Sequence, residues 1–147
     1  MALLQELEGG IICATAKGLA NLGRAFGRLL KDGDTVALHG DLGVGKTTFT
    51  KGIAKALGIT DSITSPTFNI MVQHIGTMNL MHIDAYRLDN RECLEVWDYV
   101  QRPCVIVIEW PEHLAELQES ITHDIRITVR ENGKRWITLR TSNKKIL

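Results

Sequence analysis

Positions 40–48 read Gly40-Asp41-Leu42-Gly43-Val44-Gly45-Lys46-Thr47-Thr48. The spacing is G-x-x-x-x-G-K followed by Thr, that of a loop built to wrap a phosphate. An apolar, β-favouring run, Thr35-Val36-Ala37-Leu38-His39, precedes it, and a helix-forming stretch, Thr47 to Leu57, follows. Strand, loop and helix in that order is the setting the motif requires. The residue types follow from the chemistry. Three glycines let the backbone curl until several N–H groups face one anion. The following helix adds its positive N-terminal end. Lys46 stands where it reaches the β- and γ-phosphates, and the Thr47 hydroxyl where it meets Mg²⁺.

The chain has 147 residues, near the commonest size of a single domain. A chain of that length buries roughly 70% of its unfolded surface, enough for a core. Seventeen basic residues balance seventeen acidic ones. That balance excludes a protein that holds nucleic acid by bulk charge, though not a local basic patch. Cys13, Cys93 and Cys104 are odd in number and form no C-x-x-C pair, so neither a zinc ribbon nor a disulfide framework is indicated. Each is expected to serve as a small apolar residue. No apolar run approaches the roughly 18 residues of a membrane span. Met1 to Gly10 carries two glutamates and no Lys or Arg, unlike a signal peptide. A soluble cytoplasmic protein is expected, with no membrane partner.

No repeat or Pro/Ser-rich linker interrupts residues 1–147, so one domain is expected. Gly10 to Cys13 reads as a short strand, and Thr15 as an N-cap. The helix after it carries Leu19, Leu22, Phe26, Leu29 and Leu30 on one face, and Lys31-Asp32-Gly33-Asp34 ends it. Gly58 marks the C-cap region of the phosphate-loop helix. Strands are predicted at Phe68 to His74 and Met78 to Asp84, joined near Gly76. A helix is predicted over Arg91 to Val100, with Leu94, Trp97 and Val100 inward. Cys104-Val105-Ile106-Val107-Ile108 is a continuous apolar run, the pattern of a central strand covered on both faces. Pro111 can start a further helix through Leu114 and Leu117. The tail alternates at Ile125, Ile127 and Val129, then from Trp136 or Ile137 through Leu139. Asn132-Gly133 between the two runs signals a type I′ hairpin. The expected fold class is α/β: a mixed sheet flanked by helices, its parallel part holding the phosphate-loop strand, with an antiparallel C-terminal hairpin.

A nucleotide site also needs acids near Mg²⁺ and a group that senses the γ-phosphate. Glu109 ends the buried run, and strand ends of α/β sheets open into the ligand crevice. It is a candidate to hold Mg²⁺, directly or through a bound water, or else an ordinary strand-end carboxylate. In His82-Ile83-Asp84-Ala85-Tyr86-Arg87, alternation puts His82, Asp84 and Tyr86 on one face. Asp84 could position the attacking water or meet Mg²⁺ through water. Alternatively it pairs with Arg87 or His82 in a structural network. Thr64-Ser65-Pro66-Thr67-Phe68 lies where a switch ordered by the γ-phosphate would sit. Its composition equally suits a plain turn.

The phosphate loop through Phe49, then Ser65-Pro66-Thr67-Phe68, His82-Ile83-Asp84-Ala85-Tyr86-Arg87 and Glu109-Trp110-Pro111-Glu112, together resemble the bacterial TsaE family. The resemblance spans nearly the whole chain, in order. Only the phosphate loop is specific by itself; the four in order are highly specific. The resemblance implies a small ATPase in the pathway that makes threonylcarbamoyladenosine in tRNA. Such an ATPase docks onto the TsaB–TsaD heterodimer, which transfers the group, and hydrolysis supports its repeated turnover. By matching position, Gly43, Val44, Gly45, Lys46, Thr47 and Thr48 bind the ATP phosphates, and Thr47 and Glu109 hold Mg²⁺. Asp84 takes the catalytic acid or water-positioning role beside Lys46. Thr64 to Thr67 form the switch loop, Thr67 touching the nucleotide. Thr15 matches a region that approaches the adenine, and Lys134 or Arg135 near the last hairpin also meets the nucleotide. Trp110 follows the acidic ligand, with a direct role or as a packing aromatic.

Two other classes compete. A small-molecule kinase needs an acceptor site and an arginine-bearing lid, yet no Arg-rich segment lies outside the regular elements. A non-hydrolysing module that docks partners when ATP is bound shares every residue named, since hydrolysis can be slow without a partner-supplied group. A GTPase is disfavoured: Asn143-Lys144-Lys145-Ile146 lacks the Asp of N-K-x-D. Neutral net charge disfavours strong direct tRNA binding, leaving tRNA an indirect partner.

Overall fold

The computed structural model describes residues 2–41, 43–64, 71–86 and 98–141. In chain order its regular elements are α1 Ala2–Gly9, β1 Ile11–Cys13, α2 Ala16–Gly27, β2 Thr35–His39, α3 Lys46–Ala56, β3 Met71–His74, β4 Asn79–Asp84, β5 Cys104–Glu109, β6 His123–Val129 and β7 Arg135–Thr141. The seven strands form one sheet in the order β1-β7-β6-β2-β5-β4-β3. Strands β6, β2, β5 and β4 run parallel. Antiparallel pairs close both sides, β3 on β4 and the β6–β7 hairpin with β1. The mixed α/β sheet expected from the sequence is thus present, with β2, the strand that leads into the glycine loop, at its centre.

The run 104–108 is buried on both faces, as its lack of alternation predicts. Val105 and Val107 join Val36, Leu38, Leu80, Ile125 and Ile127 beneath Phe26, Phe49 and Ile53 of the helices. Cys104, Ile106 and Ile108 join Met81, Ile83 and Leu114 in a second core on the other face. Cys13 and Cys104 are free and buried. Burial pushes the Cys104 thiol up to about 11, so it stays protonated and acts as an apolar group.

Thr15 caps α2 as predicted: its Oγ1 accepts the Gly18 N–H at 2.9 Å. Asp32, in the turn after α2, accepts the Cys104 N–H at 2.8 Å and the Arg102 guanidinium at 2.9 Å. The turn thereby fixes where β5 begins. Helices α2 and α3 approach closely because Gly23 and Gly52 face the opposing backbone. A Cβ at Gly52 would overlap the Ala20 carbonyl oxygen and lie 2.7 Å from the Arg24 nitrogen. Gly52→Val is therefore expected to destabilise the fold by about 3 kcal/mol, the upper range for overpacking. Gly9→Ala, where a Cβ meets nothing within 4 Å, should barely move the urea midpoint. Equal midpoints for the two variants would contradict the close helix contact.

Several local expectations need correction. Helix α1 carries no capping or charge signal that the sequence offered in advance. After Pro111 there is no α-helix but two 3₁₀ segments, Pro111–His113 and Ala115–Ser120. Leu114 separates them at φ −128° and ψ 75°, drawn into the second core at 1% exposure; helical dihedrals cannot satisfy that pull. The last hairpin is not type I′. Gly133 alone takes positive φ, at 80°. Its N–H bonds the Arg130 carbonyl, and the Arg130 N–H bonds the Lys134 carbonyl. This is a three-residue loop with a left-handed glycine. Residues 68–70 of the predicted first strand of the 68–84 pair and 91–97 of the predicted helix lie outside the described residues. No helix among the described residues is long and apolar enough to cross a membrane.

Candidate functional site

Strand β2 ends at His39, and the chain turns through the glycine loop into α3. Gly40, Gly43 and Gly45 have φ of 155°, 80° and 113°, a region L side chains rarely adopt. At Gly45 a Cβ would also strike Leu19 Cδ2. Gly45 caps α3 with no side-chain hydrogen bond. The first amides of α3 therefore have no intrahelical acceptor and, among the described residues, no side-chain cap at Gly45, and they carry the positive end of the helix dipole.

Parallel register brings the acids to this end of the sheet. Asp84 of β4 aligns with Glu109 of β5, and Glu109 with Leu38 of β2. Alternation from Leu80 and Val107 sends His82, Asp84 and Glu109 to the α3 side of the sheet. There, Gly43, Gly45, Lys46, Thr47, Thr48, Asp84, Glu109 and Trp110 line a cavity of about 360 Å³. A second cavity, of about 290 Å³, lies against the same loop and is lined by Thr15, Leu19, Val44, Thr48 and Arg135 among others.

Lys46 is buried at 5% exposure. Its Nζ donates to the Gly40 carbonyl at 2.6 Å and lies 3.8 Å from the centroid of the Trp110 ring. Burial pushes the ammonium's pKa below the ordinary lysine value, opposed by the carboxylates of Glu109, Asp84, Glu112 and Asp41. Trp110 is, among the described residues, the one non-glycine with positive φ, at 57°. A left-handed bulky residue is strained, and here the strain accompanies an indole laid over the lysine. The Trp110 ring also packs on Tyr86 at 4.9 Å. Glu109 is buried at 4% exposure, and its Oε2 lies 2.6 Å from His82 Nε2. Asp84 Oδ1 accepts the Tyr86 N–H at 3.0 Å, which turns the chain after β4.

The comparisons with known proteins decide the family. A family model described as "Threonylcarbamoyl adenosine biosynthesis protein TsaE" matches residues 13–137. The chain belongs to the TsaE family. A tRNA threonylcarbamoyladenosine biosynthesis protein TsaE of Treponema pallidum is 39% identical over 133 residues, 87% of this chain and 97% of that one. Its counterpart from Nostoc is 35% identical over 132 residues, 85% of this chain and 81% of that one. The crystal structure of YdiB from Bacillus subtilis superposes with a TM-score of 0.74 at 28% identity, covering 92% of this chain and 86% of that one.

Against the residues the TsaE resemblance implied, the structure gathers Gly43, Gly45, Lys46, Thr47, Thr48, Asp84 and Glu109 around one cavity. Thr15 and Val44 line the second. Thr67, with Ser65, lies outside the described residues. Lys134 lines neither cavity; its backbone N–H bonds the Asn132 side chain in the turn. Its neighbour Arg135 reaches the loop instead, donating from Nε to the Val44 carbonyl at 2.7 Å and from Nη1 to the Gly133 carbonyl at 2.7 Å. The pairing of Asp84 with His82 is replaced by His82 with Glu109, because His82 and Glu109 are both buried while Asp84 turns to the Tyr86 amide. Arg87 lies outside the described residues. His39, which spacing did not single out, sits between Asp124 at 2.6 Å and Glu112 at 3.5 Å. Its partners stand far along the chain, so no local pattern signals them.

Proposed function

We propose that this TsaE family member binds ATP with Mg²⁺ and hydrolyses it, supporting threonylcarbamoylation of tRNA adenosine by a TsaB–TsaD heterodimer. The observation that carries the reading is the meeting of Lys46, Thr47, Asp84 and Glu109 around one cavity at the mouth of a glycine loop. The free amides at the start of α3 suit a phosphate group. Lys46, already desolvated, would exchange the Gly40 carbonyl and the Trp110 face for phosphate oxygens. The second cavity, beside Thr15 and Arg135, is the natural seat for the nucleoside.

The donor set fits Mg²⁺. Thr47 and Glu109 offer hard oxygens beside the phosphate cradle, with Asp84 near. Among the described residues no group of three or more His, Cys, Asp or Glu could hold a metal ion. Mg²⁺ matches that, since it is usually held by one or two protein oxygens plus phosphates and water. When bound it would neutralise charge on the β- and γ-phosphates. Asp84 would orient the attacking water. We place the protein in the cytoplasm as a single domain, with tRNA met only through the heterodimer.

The test is phosphate release from ATP by the purified protein, alone and with purified TsaB–TsaD. Slow release alone that rises severalfold with the heterodimer and disappears in EDTA supports the reading. Transfer of phosphate to a small acceptor, without stimulation, would favour a kinase. Nucleotide-dependent docking with no phosphate release would favour a binding module.

A further inference from the structure

We infer that His82 is a positioning residue for Glu109: it fixes the orientation of the carboxylate that the Mg²⁺–ATP reading assigns to the metal. The inference rests on that reading and extends it to a residue one strand away. His82 lies in the middle of β4, between Val72 of β3 and Val107 of β5, and is 0% exposed. Its Nε2 lies 2.6 Å from Glu109 Oε2. Glu109 also lines the 360 Å³ cavity. One carboxylate oxygen is thus engaged from inside the sheet, and the other is left for what enters the cavity.

Stability does not explain this pair. An imidazole and a carboxylate both removed from water carry a desolvation cost, and apolar residues of similar volume are often as stable or more so. On its own face of the sheet the position has apolar neighbours, Leu80 two residues earlier in the strand and Val107 across it, where an aliphatic side chain would pack. The bond geometry also selects one tautomer. Nδ1 of His82 is buried with no hydrogen-bond partner among the described residues. A proton on Nε2 gives Glu109 a donor and leaves only an unpaired lone pair at Nδ1. A proton on Nδ1 would bury an unpaired N–H and set two lone pairs against each other at 2.6 Å. His82 therefore donates to Glu109. Outer donors of this kind hold a ligand carboxylate in one rotamer and tune metal affinity, with losses of about 10- to 100-fold when removed.

The experiment measures the affinity of the whole protein for a non-hydrolysable ATP analogue by calorimetry, in Mg²⁺ and in EDTA. The quantity read is the ratio of the two dissociation constants. His82→Leu should cut the tightening given by Mg²⁺ by about 10- to 100-fold, with the affinity in EDTA unchanged. His82→Gln, whose amide nitrogen reaches the same point, should keep most of the tightening, whereas the shorter His82→Asn should lose it. A merely structural role would lower both affinities together and would not separate Gln from Asn. If His82→Leu does not fold, the Gln and Asn variants decide: equal ratios overturn the inference. A wild-type ratio retained in His82→Leu overturns it as well. A wild-type protein that binds the analogue no tighter in Mg²⁺ than in EDTA defeats the Mg²⁺–ATP reading itself, and this inference with it.

Discussion

Lys46→Ala should abolish ATP hydrolysis and weaken ATP binding by at least about 10²-fold. Hydrogen bonds to charged groups are worth about 1.5–3 kcal/mol each, and 1.4 kcal/mol is a factor of ten in affinity. Lys46 would make such bonds to two phosphates at once. Its present contacts, the Gly40 carbonyl at 2.6 Å and the Trp110 ring at 3.8 Å, show that the ammonium is held at the mouth of the loop and not spread in solvent. Burial already weighs against its charge, so removing it should not unfold the protein. Far-ultraviolet circular dichroism and the urea midpoint should stay close to the wild type while calorimetry with ATP records no heat at concentrations that saturate the wild type. Full ATPase activity in this variant would contradict the assignment of the loop.

The second large effect separates binding from chemistry. Asp84→Ala should keep ATP affinity within a few-fold of wild type and lower the hydrolysis rate by about 10²-fold or more, the range of a lost proton-transfer or water-positioning group. Asp84 lines the same cavity as Lys46 and Thr47. It is half-buried, and among the described residues its Oδ1 accepts the Tyr86 amide, which leaves Oδ2 for water. Loss of that turn bond costs about 1 kcal/mol, too little to mimic a hundredfold fall in rate. The comparison is made by single-turnover phosphate release and equilibrium binding on the same preparation. Unchanged turnover would remove Asp84 from the chemistry and leave it the turn-forming role alone.

What could be read from the sequence was local. The glycine loop, its strand and its helix lie within about 20 consecutive positions, and each residue type there answers to one physical demand. Burial on both faces of 104–108 follows from a run without alternation, and that placed Glu109 at a strand end. Alternation likewise placed His82 and Asp84 on one face. What escaped was set by packing between distant segments. Arg135 meets Val44 across 91 positions, and nothing in the tail marks it over Lys134. His82 meets Glu109 across 27, and its face of the strand did not say which acid it would choose. Trp110 is left-handed with its ring against Lys46 and Tyr86, an outcome no propensity foretells. The α-helix expected from Pro111 gave way to 3₁₀ segments because Leu114 is drawn into the second core.

The most direct measurement is a crystal structure with Mg²⁺ and a non-hydrolysable ATP analogue. The triphosphate should lie in the cavity bounded by Lys46, Thr47, Asp84 and Glu109, with the nucleoside beside Thr15 and Arg135. Lys46 Nζ should have left the Gly40 carbonyl for phosphate oxygens. A nucleotide bound elsewhere, or a cavity that stays empty at saturating analogue while Lys46 keeps its contact with Gly40, would contradict the proposed site.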